Sequence, residues 1–239
     1  MSEIFDKMMS GIAKGLERSD RELVVVGLGG LDSWGTLVAA CDEVTPTRVM
    51  SVTVHSPSHT STKTEPLMRG LANSLGVAEH VSVDIGETVV KMMNARQGVG
   101  RVETECVGYN LDVAGRCELV SLLRRSALRS IATKYDAVLA CGINLSKIQV
   151  GWCNACVGPP DINPLHNVKL DDLREALEDR GLDTLGILDE ESKLDLLPDG
   201  SPFWVEARSD GPERSDYGSP LFGRGIFYPT LPNDFVEAK

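Results

Sequence analysis

The turn Gly27-Leu28-Gly29-Gly30-Leu31-Asp32-Ser33 is the stretch of this chain whose residue types and spacing can do chemistry. Its glycines let backbone N–H groups converge on an anion, and a helix N-terminus directly behind adds partial positive charge. Phosphate is the natural occupant. Asp32 offers the carboxylate oxygen that a hard divalent ion such as Mg2+ takes when it bridges phosphates, so it is the candidate metal ligand and a candidate catalytic residue. Gly27, Gly29, Gly30 and Ser33 are the candidate anion binders around it. The stretch matches neither G-x-x-x-x-G-K-[ST] nor G-x-G-x-x-G, because the lysine and the third glycine are missing at the required places. A glycine pair before an Asp-Ser helix cap is also an ordinary turn. The second stretch with chemical potential is Cys153-Asn154-Ala155-Cys156, a pair able to cycle redox states or hold part of a metal site. The other four cysteines stand singly and read as reduced thiols in a cytoplasm.

The anion turn needs a strand before it and a helix after it. Leu23 to Val26 is a short β-branched run, and Trp34, Leu37, Val38 and Cys41 follow the turn at helical spacing. Upstream, Ile4, Met8, Ile12 and Leu16 form an i+4 ladder that predicts an amphipathic helix, able to pack on its own sheet or on a second copy. Val49 to Val54 and Val81 to Ile85 are the next strands, separated by the stripe Leu67, Leu71, Leu75 that ends at Gly76. A helix is expected around Glu87 to Asn94, then a long functional loop over Gly98 to Tyr109. Asp112 to Tyr135 carries the longest helical stripe, Ala137 to Ala140 the strand after it, and Leu170 to Arg180 one more helix. Beyond Leu196 the chain turns Pro- and Gly-rich and is expected to be extended loop. This alternation predicts an α/β fold, a Rossmann-like doubly wound parallel sheet with helices on both faces, in one domain over residues 1–239.

Bulk properties narrow the partners. With 24 Lys and Arg against 35 Asp and Glu, the net charge of −11 repels a phosphate backbone, so nucleic acid is not expected. Arg124, Arg125 and Arg129 fall close together and read either as a local basic patch or as a solvated helix face. No apolar run approaches the roughly 18 residues that span a bilayer, and the N-terminus is no signal peptide, so the expectation is a cytoplasmic protein with small-molecule substrates and no membrane.

Gly29, Gly30, Asp32 and Ser33 resemble the SGGxDS pyrophosphate loop of N-type ATP pyrophosphatases, with Leu28 at the place of the first serine. Within that adenine nucleotide alpha hydrolase-like superfamily the chain looks like a divergent ammonia-dependent NAD synthetase over almost its whole length. Asn110 and Arg116 are spaced like the asparagine and second arginine of the family's N-x-x-x-R-x-R helix start, with Ala114 where the first arginine belongs. Gly151-Trp152 resembles its G-[FY] step, Asp161-Ile162-Asn163-Pro164-Leu165 its D-I-x-P-L segment, and Gly225-Ile226-Phe227-Tyr228 with Phe235 its tail.

The resemblance implies a ligase that uses ATP and Mg2+ to adenylate deamido-NAD, releases pyrophosphate, and lets ammonia attack to give NAD and AMP. It implies ATP at the glycine turn and Arg116, substrate at Tyr109, Asn110, Trp152 and Asp161, and a homodimer. Departures bear on catalysis. The family's second metal carboxylate falls on Lys147, which either contacts phosphate in place of an ion or is a solvated lysine. Gly142 stands for a threonine, and the family's K-Y-G-D stretch is absent. Asp161 is either a ligand or a turn cap. Two alternatives therefore stand beside the ligase: a catalytically altered or inactive nucleotide-binding homologue, and a sulfur-transferring ATP pyrophosphatase that uses Cys153 and Cys156.

Overall fold

Val24–Leu28 reads Val-Val-Val-Gly-Leu, apolar on both sides of the pleat, and a strand of that kind is stable only when covered on both faces. In the computed structural model it is β1, and it lies inside the sheet. The structure describes residues 3–56, 63–93, 113–145 and 160–182 together with Thr184 and Ile187. All belong to the first of the two units, Met1–Val205 and Glu206–Lys239, into which the chain divides.

In chain order the elements are α1 (Glu3–Ser19), β1, α2 (Leu31–Val44), a 3-10 turn (Pro46–Arg48), β2 (Val49–His55), α3 (Thr64–Ser74), β3 (Glu79–Asp84), α4 (Gly86–Met93), α5 (Val113–Lys134), β4 (Val138–Ala140) and α6 (Leu170–Glu178). The four strands are parallel and ordered β3-β2-β1-β4. Val24 pairs in register with Val49 on one side and Val138 on the other. Past β4, Ile162 makes a further parallel bridge to Ala140.

Strand alternation divides the core in two. Val24, Val26, Leu28, Val49, Val138 and Ala140 pack with the buried stripes of α1, α2, α3 and α6, whereas Val25, Met50, Val52, Val54 and Leu139 pack with α4 and α5. The chain steps outward from β1 to β3 under α2 and α3, then returns across β1 to β4 over the opposite face. That reversal makes the C-terminal ends of β1 and β4 the topological switch point, where parallel α/β sheets open a ligand crevice.

Each expected strand and helix within the described residues is present, with ends displaced by a residue or two. Gly76 ends α3 in the left-handed region, as its position predicted, with Val77 N–H donating to Ala72 C=O. Phe5, Met8, Ile12 and Leu16 are the buried residues of α1, and Ile4, the first of the expected ladder, is partly buried against the same cluster. They pack within the unit, in the cluster of α2 and α6, and the Arg180 guanidinium stacks 4.5 Å from the Phe5 ring centroid. This stripe is therefore used by its own sheet. The expected loop over Gly98–Tyr109 and the tail beyond Leu196 lie outside the described residues.

Candidate functional site

Two loops meet at the switch point. The first leaves β1 through Gly29 and Gly30 and enters α2 at Leu31; the second leaves β4 through Cys141, Gly142, Ile143 and Asn144. The N–H groups of Gly29 and Gly30 both donate to the Ser33 hydroxyl, at 2.9 and 3.0 Å, while that hydroxyl donates to Gly30 C=O at 2.7 Å. An oxygen thus already sits where the two amides converge, held by the first turn of α2. Gly29 is exposed, and a Cβ built on it would touch nothing within 4 Å. Its bare backbone faces open space, as close approach of a ligand oxygen requires.

Other turn residues have different surroundings. Gly27 lies within β1, where a Cβ would sit 2.5 Å from Leu128 Cδ1, so its missing side chain admits α5. Leu28 is 5% exposed and points into the core beneath α2.

Asp32 is 5% exposed at the second position of α2. Its Oδ1 accepts a 2.8 Å bond from Nδ2 of the fully buried Asn144. A carboxylate taken out of water is costly unless hydrogen-bonded, and Asn144 both satisfies it and fixes its direction. The loops also touch at Gly142. A Cβ there would lie 2.5 Å from Leu165 Cδ1, 2.8 Å from Thr36 Oγ1 and 3.1 Å from Asp32 O, which explains why glycine stands where a threonine was expected.

The Asp161-to-Leu165 segment holds this second loop. Asn163 Oδ1 accepts from Ile143 N–H at 3.1 Å and Leu165 N–H at 3.3 Å, and its Nδ2 donates to Ile143 C=O at 3.1 Å. Leu145 N–H donates to Val168 C=O at 2.8 Å. Asp161, expected at the substrate, has its Oδ2 accepting from Leu139 N–H at 2.8 Å and its Oδ1 paired with Arg129 Nη1 at 2.6 Å. Burial pushes its carboxyl up, but the Arg129 and Leu139 hydrogen bonds and the charges of Arg129 and Arg21 outweigh that and hold it below the usual carboxylate value.

Arg124, Arg125 and Arg129 of α5 are half-buried. Arg129 holds Asp161, and Arg124 and Arg125 each have a guanidinium nitrogen removed from solvent. Burial pushes up both the Cys141 thiol and the Cys41 thiol, the latter to about 12.

Asp32, Ser33, Gly29 and Gly30 are thus brought together, and Arg116 falls in the first turn of α5. Tyr109, Asn110, Lys147, Trp152, Cys153 and Cys156 lie outside the described residues. Sequence reasoning missed Asn144 and the role of Asn163. The signal for both was position, since each follows or flanks the strand beside β1.

Among the described residues no group of three His, Cys, Asp or Glu side chains gathers as a metal cage. Asp32, a buried carboxylate beside the Gly29 and Gly30 amides, is the described residue whose chemistry would suit a hard divalent ion such as Mg2+.

No protein-family model matches the chain, and no curated protein does. Solved structures do match. NMN synthetase from Francisella tularensis superposes with a TM-score of 0.65 at 20% identity, over 78% of this chain and 73% of that one. The ammonia-dependent NAD synthetase of Campylobacter jejuni gives 0.61 at 16% identity, over 75% and 73%. The chain has the NAD synthetase fold. The glutamine-dependent NAD synthetase of Acinetobacter baumannii, solved with ADP, shares that fold at a TM-score of 0.64 and 22% identity. This chain covers 82% of itself but 36% of that longer protein.

Proposed function

We propose that the chain is an ATP-dependent, amide-forming ligase that activates a nicotinate nucleotide and passes it to ammonia. The observation that carries this is the buried Asp32–Asn144 bond beside the Gly29–Gly30 amides at the switch point. In the first step a substrate carboxylate oxygen attacks the ATP α-phosphorus, forming an acyl adenylate and expelling pyrophosphate. Ammonia then attacks the acyl carbon, giving the amide, AMP and a proton.

The protein's share is positional and electrostatic. The Gly29 and Gly30 amides exchange the Ser33 hydroxyl for a phosphate oxygen, and the α2 N-terminus favours the negative charge. Asp32, oriented by Asn144, is the residue that would hold Mg2+, which when bound would supply positive charge to offset that building on pyrophosphate. Arg116, Tyr109, Asn110 and Trp152 are assigned to nucleotide and substrate, and the active unit to a homodimer, on the resemblance alone.

Incubation with ATP, Mg2+ and ammonia plus either deamido-NAD or deamido-NMN tests this. AMP and pyrophosphate formed in step with one amide are expected, and which substrate turns over assigns the reaction. No acid-dependent AMP would refute the ligase. A non-catalytic nucleotide-binding homologue is favoured in that event, since no group of three potential metal ligands gathers among the described residues and the chain has Lys147 where a second metal carboxylate is expected.

A further inference from the structure

Arg125 is half-buried on α5, with its Nη1 removed from solvent and without a hydrogen-bond partner. Among the described residues it has no acid partner either. That buried nitrogen carries an uncompensated desolvation penalty, because the guanidinium cannot shed its charge as a lysine or carboxyl can. An anion reaching it would supply the missing acceptor.

Its place follows from the fold. The three-residue connection Tyr135–Ala137 joins α5 to β4, so the helix runs antiparallel to the strand. Arg129 reaches Asp161, whose carboxylate also takes the Leu139 N–H. Arg125 lies one turn nearer the α5 N-terminus on the same helix face. Four helical residues rise about 6 Å, the span of roughly two strand residues. That puts Arg125 level with Cys141, the first residue of the switch loop, and the charges of Arg125 and Arg129 both act on the Cys141 thiol. Arg129 is already engaged with Asp161, and Arg125 is not.

We propose that Arg125 is an oxyanion-binding residue at the switch point, on the α5 side of the loop whose other side bears Asn144 and Asp32, and that it receives a phosphate or carboxylate group of a bound substrate. A planar guanidinium takes either group through paired N–H donors. Two charged parts of the reactants, the nucleotide phosphates and the acid to be activated, then meet opposite sides of one loop. The choice between them rests on the ligase reading above; the anion site itself does not.

The test is thermal unfolding of the full chain and its variants in a low-anion buffer, titrated with millimolar inorganic pyrophosphate or with nicotinate as a free carboxylate. One of the two should raise the wild-type Tm saturably, pyrophosphate marking a phosphate group and nicotinate a carboxylate. Arg125→Gln should unfold at the same or a higher temperature without anion and lose that stabilisation, while Arg125→Lys should retain a weaker part of it. No saturable rise in the wild type, or an equal rise in Arg125→Gln, overturns the proposal. A lowered Tm of Arg125→Gln in the low-anion buffer also overturns it, because the arginine is then a structural group. Asp32→Asn run in parallel separates the readings: loss of Mg2+-dependent ATP binding with retained anion stabilisation leaves both standing, and failure of either is seen on its own axis.

Discussion

Asn144 donates to the carboxylate of Asp32 across 112 residues of sequence, joining the two loops at the switch point. The loops come from strands that are neighbours in the sheet and distant in the chain, and the geometry of the bond is fixed by what surrounds it.

Removing the amide should therefore act through Asp32. Asn144→Ala leaves a buried carboxylate short of a donor, a loss of about 1–3 kcal/mol in stability. Asn144→Asp adds a second buried acid and should cost more in the absence of Mg2+ than in its presence. Equilibrium denaturation with and without the ion checks the difference; equal costs in both would remove the metal from Asp32.

Asn163 is the next link outward. Asn163→Leu orphans Ile143 N–H and C=O and is expected to weaken Mg2+-dependent ATP binding about tenfold, the equivalent of one good hydrogen bond to a charged group. Asn163→Asp keeps both acceptor roles and loses only the donor, so it should fall between. Calorimetric titration of the three proteins decides the order.

Gly142→Ala tests the packing of one loop on the other. The added methyl meets Leu165, Thr36 and the Asp32 carbonyl, contacts in which two side chains can shift and the backbone oxygen cannot. Overpacking of this kind costs about 1–3 kcal/mol, or several degrees in Tm for a unit of this size. A variant as stable as the parent would mean that the loops separate freely.

The Asp161–Arg129 pair gives a pH signature. Because the Asp161 carboxyl is held below its ordinary value in the folded chain, its contribution is complete above the usual carboxylate range and is lost as pH falls through the depressed value. Both side chains are partly exposed, at 30% and 40%, so the pair contributes no more than about 1 kcal/mol. Wild type should exceed Asp161→Asn in stability near pH 6, and the gap should close in acid.

Cys41, with its thiol pushed up to about 12, and the half-buried Cys141, whose thiol burial also pushes up, should resist alkylation near pH 8 until the chain unfolds. Peptide mapping after a brief iodoacetamide pulse checks both sites.

Much of the frame was legible in the residues. The β-branched runs at Val24 and Val49, the stripes through Trp34 and Leu67, and Gly76 at a helix end all state their own local structure, because burial repeats at the period of the element. The Gly29–Ser33 turn announced itself for the same reason: its chemistry is local. Asn144 and Asn163 did not, since an asparagine in a loop has no period and acquires meaning only when β4 is known to lie beside β1. The arginines at 124, 125 and 129 were legible only in part. Spacing on α5 placed them on one face, but which face looked outward depended on Asp161, thirty-two residues later.

The position of β1 between β2 and β4 also orders events in time. A nascent chain that stops short of Val138 holds everything needed for the β1–β2–β3 portion, including the amides of Gly29 and Gly30, but it has no Asn144 and no second wall. The crevice is closed by β4, the last strand among the described residues, through its pairing with β1, the most distant in this four-stranded sheet and of the kind that forms slowly. Nucleotide capture during refolding would then report arrival of that final strand, and early collapsed species would remain blind to the ligand.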